Sequence, residues 1–117
     1  MSRLRVFICA PLSDAGRLSP KAIEAYRFVA VHADKDLGRA GFSCYCEPMI
    51  YDEKRKLDDT YHARALEEAK AWIQISDIFL RLPGQCIEAD QREYFARGKN
   101  VIIVSTVKEL ITKMSNG

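Results

Sequence analysis

The chain is predicted to be an α/β protein, a Rossmann-like or flavodoxin-like three-layer sandwich over a four-stranded parallel sheet, with a fifth strand as the alternative. Three observations predict this. Short β-rich runs alternate with helix-period segments in the order βαβαβαβα, one unit about every 30 residues. The run Val101-Ile102-Ile103-Val104 is apolar without interruption, as a strand covered on both faces should be. The strand runs stop at turn residues, Pro11, Pro48 and Pro83-Gly84, and the ends of parallel strands are where such sheets bind ligands. A length of 117 residues supplies one core and not two, so residues 1–117 are expected to form a single domain.

Each element has a local cause. Leu4-Arg5-Val6-Phe7-Ile8-Cys9-Ala10 is β-rich, and Pro11-Leu12-Ser13-Asp14-Ala15-Gly16 breaks it into a loop. Ser19-Pro20 supplies an N-cap and a proline at the first helical position. Ile23, Tyr26, Ala30, Ala33 and Leu37 then recur at spacings of three and four, the apolar face of a helix that Gly38 and Gly41 end. A second strand is expected over 42–47, stopped by Pro48. Residues 49–59 are polar and irregular, a candidate mobile loop of about eleven residues. Asp58, Asp59 or Thr60 can cap the next helix, whose apolar face is Leu66, Ala69, Trp72 and Ile73. Strand three is expected over 78–82, a short helix over 90–97 closed by Gly98, strand four over 101–104, and a last helix over 107–114.

Composition narrows the function classes. The net charge is +2, and Lys54-Arg55-Lys56 is matched by Asp52, Glu53, Asp58 and Asp59, so there is no electrostatic footprint for nucleic acid. No apolar run approaches the roughly 18 residues of a membrane span. Met1-Ser2-Arg3-Leu4-Arg5 leads straight into a strand pattern without a signal-peptide layout, so a cytoplasmic location is expected. Cys9, Cys44, Cys46 and Cys86 are spread through the chain and lack a C-x-x-C geometry, which reads as reduced, buried thiols. His32 and His62 stand on predicted helices at no ligand spacing, so neither a metal nor a cofactor is expected.

Several chemistries are absent from the residues. There is no G-x-G-x-x-G, no G-x-x-x-x-G-K-[ST] and no G-x-S-x-G. A receiver-type acceptor needs a carboxylate at the end of strand three, where Leu82-Pro83-Gly84 stands. The loop 11–16 is short and partly small, so its N–H groups could approach a phosphate; an ordinary connection is the alternative. Carboxylates remain. Glu88, Asp90 and Glu93 lie at the start of the third predicted helix, where acidic residues complement the dipole. Glu93, three residues beyond Asp90, shares its face towards the strand ends and could act as nucleophile or general base.

These residues carry a family resemblance. Val6-Phe7-Ile8-Cys9-Ala10-Pro11-Leu12 is similar to an opening Tyr-x-Ala-x-Pro strand and loop. Gly41-Phe42 through Pro48 matches a second strand with a closing proline. Ser76-Asp77 enters strand three and Leu82-Pro83-Gly84 leaves it. Ile87-Glu88-Ala89-Asp90-Gln91-Arg92-Glu93 resembles Ser-x-Gly-x-x-x-Glu, followed by Ala96-Arg97-Gly98-Lys99. In order and spacing, over nearly the whole chain, this resembles the nucleoside 2-deoxyribosyltransferase-like superfamily, in particular its small members. Phe7 stands where that family has a tyrosine, Ala89 where it has a glycine and Ile87 where it has a serine.

The resemblance implies an N-glycosidic bond enzyme acting on a nucleoside or nucleoside 5′-monophosphate, by deoxyribosyl transfer or hydrolysis. A helix-borne glutamate attacks the anomeric carbon and the base departs. On that carry-over Glu93 is the nucleophile, with Asp90 as helper or as the nucleophile itself. Ala10, Pro11, Leu12, Ser13, Gly84, Gln85 and Phe7 would line the substrate pocket. The resemblance also implies a homo-oligomer whose neighbour completes the site, with Trp72 and the loop 51–59 available for the contact. The rival readings are a nucleotide-binding or sensing module without turnover, and an oligomeric scaffold.

Overall fold

The computed structural model describes residues 3–50 and 61–116. Four strands, β1 (Arg5–Cys9), β2 (Ser43–Cys46), β3 (Ile78–Arg81) and β4 (Ile102–Val104), pair in parallel in the order β2-β1-β3-β4. The helices are α1 (Pro20–Arg39), α2 (Glu47–Ile50), α3 (Tyr61–Gln74), α4 (Ile87–Arg97) and α5 (Val107–Asn116). Side chains alternate across the sheet. Val6, Ile8, Ile78 and Leu80 pack on one face with Ala30, Ala33 and Leu37 of α1 and Leu110 of α5. Phe7, Cys9 and Phe79 pack on the other with Ala69 and Ile73 of α3 and Ala89 and Ala96 of α4. This period-two division yields the expected three-layer sandwich with four strands.

Local signals explain most boundaries. The Ser19 hydroxyl accepts from the Ala22 N–H at 3.1 Å and Pro20 opens α1, as the N-cap pattern predicts. At its far end the Phe42 N–H returns to the Leu37 carbonyl at 3.0 Å while Gly41 sits at φ +99, which favours glycine. Across the sheet Phe7 stacks between Tyr45 and Phe79, with ring centroids 5.4 and 5.6 Å away, and Trp72 continues the row 4.5 Å from Tyr45. Each such pair adds about 0.5–1.5 kcal/mol beyond its burial.

Three features differ from the sequence expectation. Strand two ends at Cys46, and 47–50 is a helical turn, because Pro48 is preset for a helix start rather than only a strand stop. The rest of the expected mobile loop, 51–59, lies outside the described residues. The helix expected from Asp90 begins at Ile87, for a reason that lies in the loop after β1. Strand four is an edge strand, so Ile102 is 43% exposed rather than covered on both faces. No helix among the described residues is long and apolar enough to cross a membrane.

Candidate functional site

The chain leaves β1 towards β2 on one side and returns to β3 on the other. The crevice at the carboxyl ends of these strands is the topological binding position. Its floor is the loop after β1. Ala10, Pro11, Leu12, Ser13 and Asp14 are all buried there. Asp14, Ala15 and Gly16 then take positive φ values of 52, 56 and 81. For Ala15 this conformation costs about 1–2 kcal/mol. Two interlocking bonds to α4 offset it. The Asp14 carboxylate accepts from the Ile87 N–H at 3.0 Å, capping α4 where Cys86 makes no side-chain cap. The Glu88 carboxylate accepts from the Ala15 N–H, with its oxygens at 2.9 and 3.1 Å. The cap from Asp14 is why α4 starts three residues before the expected Asp90.

Between this loop, α2 and α4 lies a cavity of about 40 Å³, bordered by Ser13, Glu47, Glu88 and Arg92. Glu47 follows the last residue of β2 directly, so it projects from the strand's carboxyl end. Its carboxylate accepts from Arg92 Nε at 2.8 Å, and the two side chains are 11% and 7% exposed. Arg92 also donates to the Glu88 carbonyl at 3.0 Å. Burial pushes the Glu47 carboxyl above its ordinary range, and Arg92 opposes this only in part. Burial works against the Arg92 charge, but Glu47 beside it outweighs that and its pKa is raised. Burial also drives the Cys9 thiol well above its usual range, with Glu47 adding to the effect, so Cys9 is no thiolate nucleophile. The cavity thus brings two carboxylates and one guanidinium together, the elements of acid–base or nucleophilic chemistry on a small polar substrate.

The residues expected from sequence divide into four groups. Ala10, Leu12 and Ser13 border the cavity. Asp90 and Glu93 instead meet Arg81 at the end of β3, at 3.2 and 3.8 Å, and Glu93 is also paired with Arg97. Neither of them borders the cavity. Arg81 donates to the carbonyls of Leu82 and, at 2.8 Å, Gly84, and so braces the turn before α4. Pro11 packs against that turn: a Cβ at Gly84 would stand 2.6 Å from its Cγ and 2.8 Å from the Tyr26 ring. Gln85 is exposed, and Phe7 is fully enclosed by its neighbouring rings.

No protein-family model and no solved structure matches the chain. The site is therefore read from its own residues. Sequence reasoning passed over Glu47 and Arg92. A signal for Arg92 exists: it falls in the stripe of Ala89 and Ala96 at spacings of three and four, a charge on a face that must be buried. Glu47 has only its place just after a strand. Among the described residues no group of three histidine, cysteine or carboxylate side chains is disposed to hold a metal ion.

Proposed function

We propose that this chain is an N-glycosidic bond enzyme of the nucleoside 2-deoxyribosyltransferase-like kind, acting in the cytoplasm on a nucleoside or nucleoside 5′-monophosphate. The observation that carries the reading is the Glu47 carboxylate, buried beside Arg92 at the carboxyl end of β2 and facing the same cavity as Glu88. Burial raises the Glu47 pKa and Arg92 beside it offsets part of that rise, so the charged form is desolvated but paired, which suits a nucleophile for an anomeric carbon. Glu88 is the second carboxylate; once released from Ala15 it can take a proton from water and pass it to the leaving base. The cavity of about 40 Å³ holds a water and not a sugar, so the substrate must part the Glu88–Ala15 contact and the exposed loop behind it. In the same reading the working unit is a homo-oligomer, for which Phe28 of α1 and Met49 and Ile50 of α2 offer exposed apolar surface.

A second reading, a nucleotide-binding module without turnover, is favoured by one observation: each of these carboxylates already has an internal partner. Glu47 has Arg92, Glu88 has the Ala15 N–H, and Asp90 and Glu93 have Arg81. Incubation with deoxynucleosides and their 5′-monophosphates, followed by chromatography for free base, separates the two. The enzyme releases base, and Glu47→Gln reduces release by about 10³-fold or more. Release that survives Glu47→Gln but not Glu93→Gln moves the nucleophile to the Arg81 side of α4. No release, with a ligand-dependent rise in Tm, selects the binding module.

A further inference from the structure

α4 separates the cavity from a second, larger concavity. On its far side α3 and α4 enclose a groove of about 610 Å³, within the usual range for a small-molecule site. Its apolar walls include Leu66, Ile87, Tyr94 and Phe95. Tyr94 is 82% exposed and Ile87 46%, so burial in the fold does not account for either. Two cations converge here: Lys70 Nζ lies 5.6 Å and Lys99 Nζ 5.0 Å from the centroid of the same Phe95 ring. Asp90 also borders the groove, in an exposed pair with Arg81 at 3.2 Å, so the lining carries two ammonium groups against one carboxylate. The Lys70 partner, Glu67, is 73% exposed at 3.3 Å, a surface pair that does little to quench the ammonium. The groove is therefore aromatic, concave and positive.

The geometry points to a binding site for a flat aromatic anion, a ring system bearing a carboxylate, sulfonate or phosphate. The ring lies against Tyr94 and the apolar wall, and the anionic group sits by Lys70 and Lys99. Stacking on an exposed tyrosine and attraction to two ammonium groups are independent contributions, so the ligand needs both features. This site is independent of the cavity chemistry proposed above and stands or falls separately.

The test uses the full chain and two probes, anilinonaphthalene sulfonate and its neutral analogue phenylnaphthylamine, followed by fluorescence titration and calorimetry. The sulfonate binds saturably at one per chain, and the neutral probe about tenfold more weakly or worse. Tyr94→Ala, and separately Lys70→Glu with Lys99→Glu, each weaken the sulfonate about tenfold or more. If the charge-reversed protein does not fold, salt replaces it: raising sodium chloride from about 0.05 to about 0.5 M weakens the sulfonate and leaves the neutral probe unchanged. Equal affinity for both probes, or affinity indifferent to Tyr94→Ala, overturns the assignment. So does sedimentation showing a dimer that Tyr94→Ala dissociates and that excludes the probe, since the occupant is then a second copy.

Discussion

Arg92 Nε lies 2.8 Å from the Glu47 carboxylate, and both side chains are buried. The pair joins α4 to the carboxyl end of β2 through the centre of the candidate site. Removing one member of such a pair leaves an uncompensated buried charge.

Arg92→Leu is therefore expected to cost about 3–5 kcal/mol at neutral pH, read from urea midpoints. The pH dependence has a definite sign. The Glu47 pKa is raised in the folded state, so its contribution is fully present below the ordinary carboxylate pKa and is lost as pH rises through the folded value. Without Arg92 that rise is steeper, so the penalty of Arg92→Leu shrinks as the pH is lowered into the carboxylate range. A penalty that grows towards low pH contradicts this account.

Gly84 sits at φ +133, and a Cβ there would lie 2.6 Å from Pro11 Cγ and 2.9 Å from Tyr26 Cζ. Gly84→Ala thus combines backbone strain with a clash against the loop after β1, for a loss of about 2–4 kcal/mol. Adding Tyr26→Ala removes the clash with that ring and leaves the Pro11 contact and the backbone strain, so a double-mutant cycle should show favourable coupling between the two changes. Strict additivity removes the Tyr26 ring from the explanation and leaves the cost to the backbone and Pro11.

The bond from the Ile87 N–H to Asp14 is a helix cap supplied from 73 residues away. Asp14→Ala should cost about 1–2 kcal/mol, while Asp14→Asn, which keeps the acceptor and tolerates a positive φ, should be close to neutral. Hydrogen exchange of the first α4 amides is the matching local measurement. Equal losses in both variants remove the cap from the explanation.

Cys44 is the most accessible thiol among four free cysteines, Cys9, Cys46 and Cys86 being buried. Burial, with Asp34 adding to it, raises its pKa to about 11, and burial lifts Cys46 to about 12. Iodoacetamide should label Cys44 first and slowly at neutral pH. The rate should climb about tenfold per pH unit towards the thiol pKa, because the thiolate is the reacting species. Cys44→Ser should abolish this first labelling; prior reaction at Cys9 or Cys86 contradicts the structure.

How much of this was legible beforehand follows the range of the forces involved. The order of strands and helices, the Ser19-Pro20 start of α1 and its stripe of Ile23, Ala30, Ala33 and Leu37 follow from propensities, caps and periodicity acting over a few residues. The sequence alone therefore determined a parallel α/β sandwich, and it directed attention to the Ala10–Ser13 loop and to α4. It did not determine which side chains of α4 face which way. That depends on the rotation of α4 about its axis, and Asp14, 73 residues from its Ile87 contact, helps set where α4 begins. It depends also on the sheet order, which places β2 beside β1 and brings Glu47 within reach of Arg92, 45 residues away. Once α4 is held there, Glu93 and Asp90 meet Arg81, and Glu88 and Arg92 border the cavity. Only long-range packing could decide that, because a carboxylate on a helix looks the same in sequence whichever neighbour it meets.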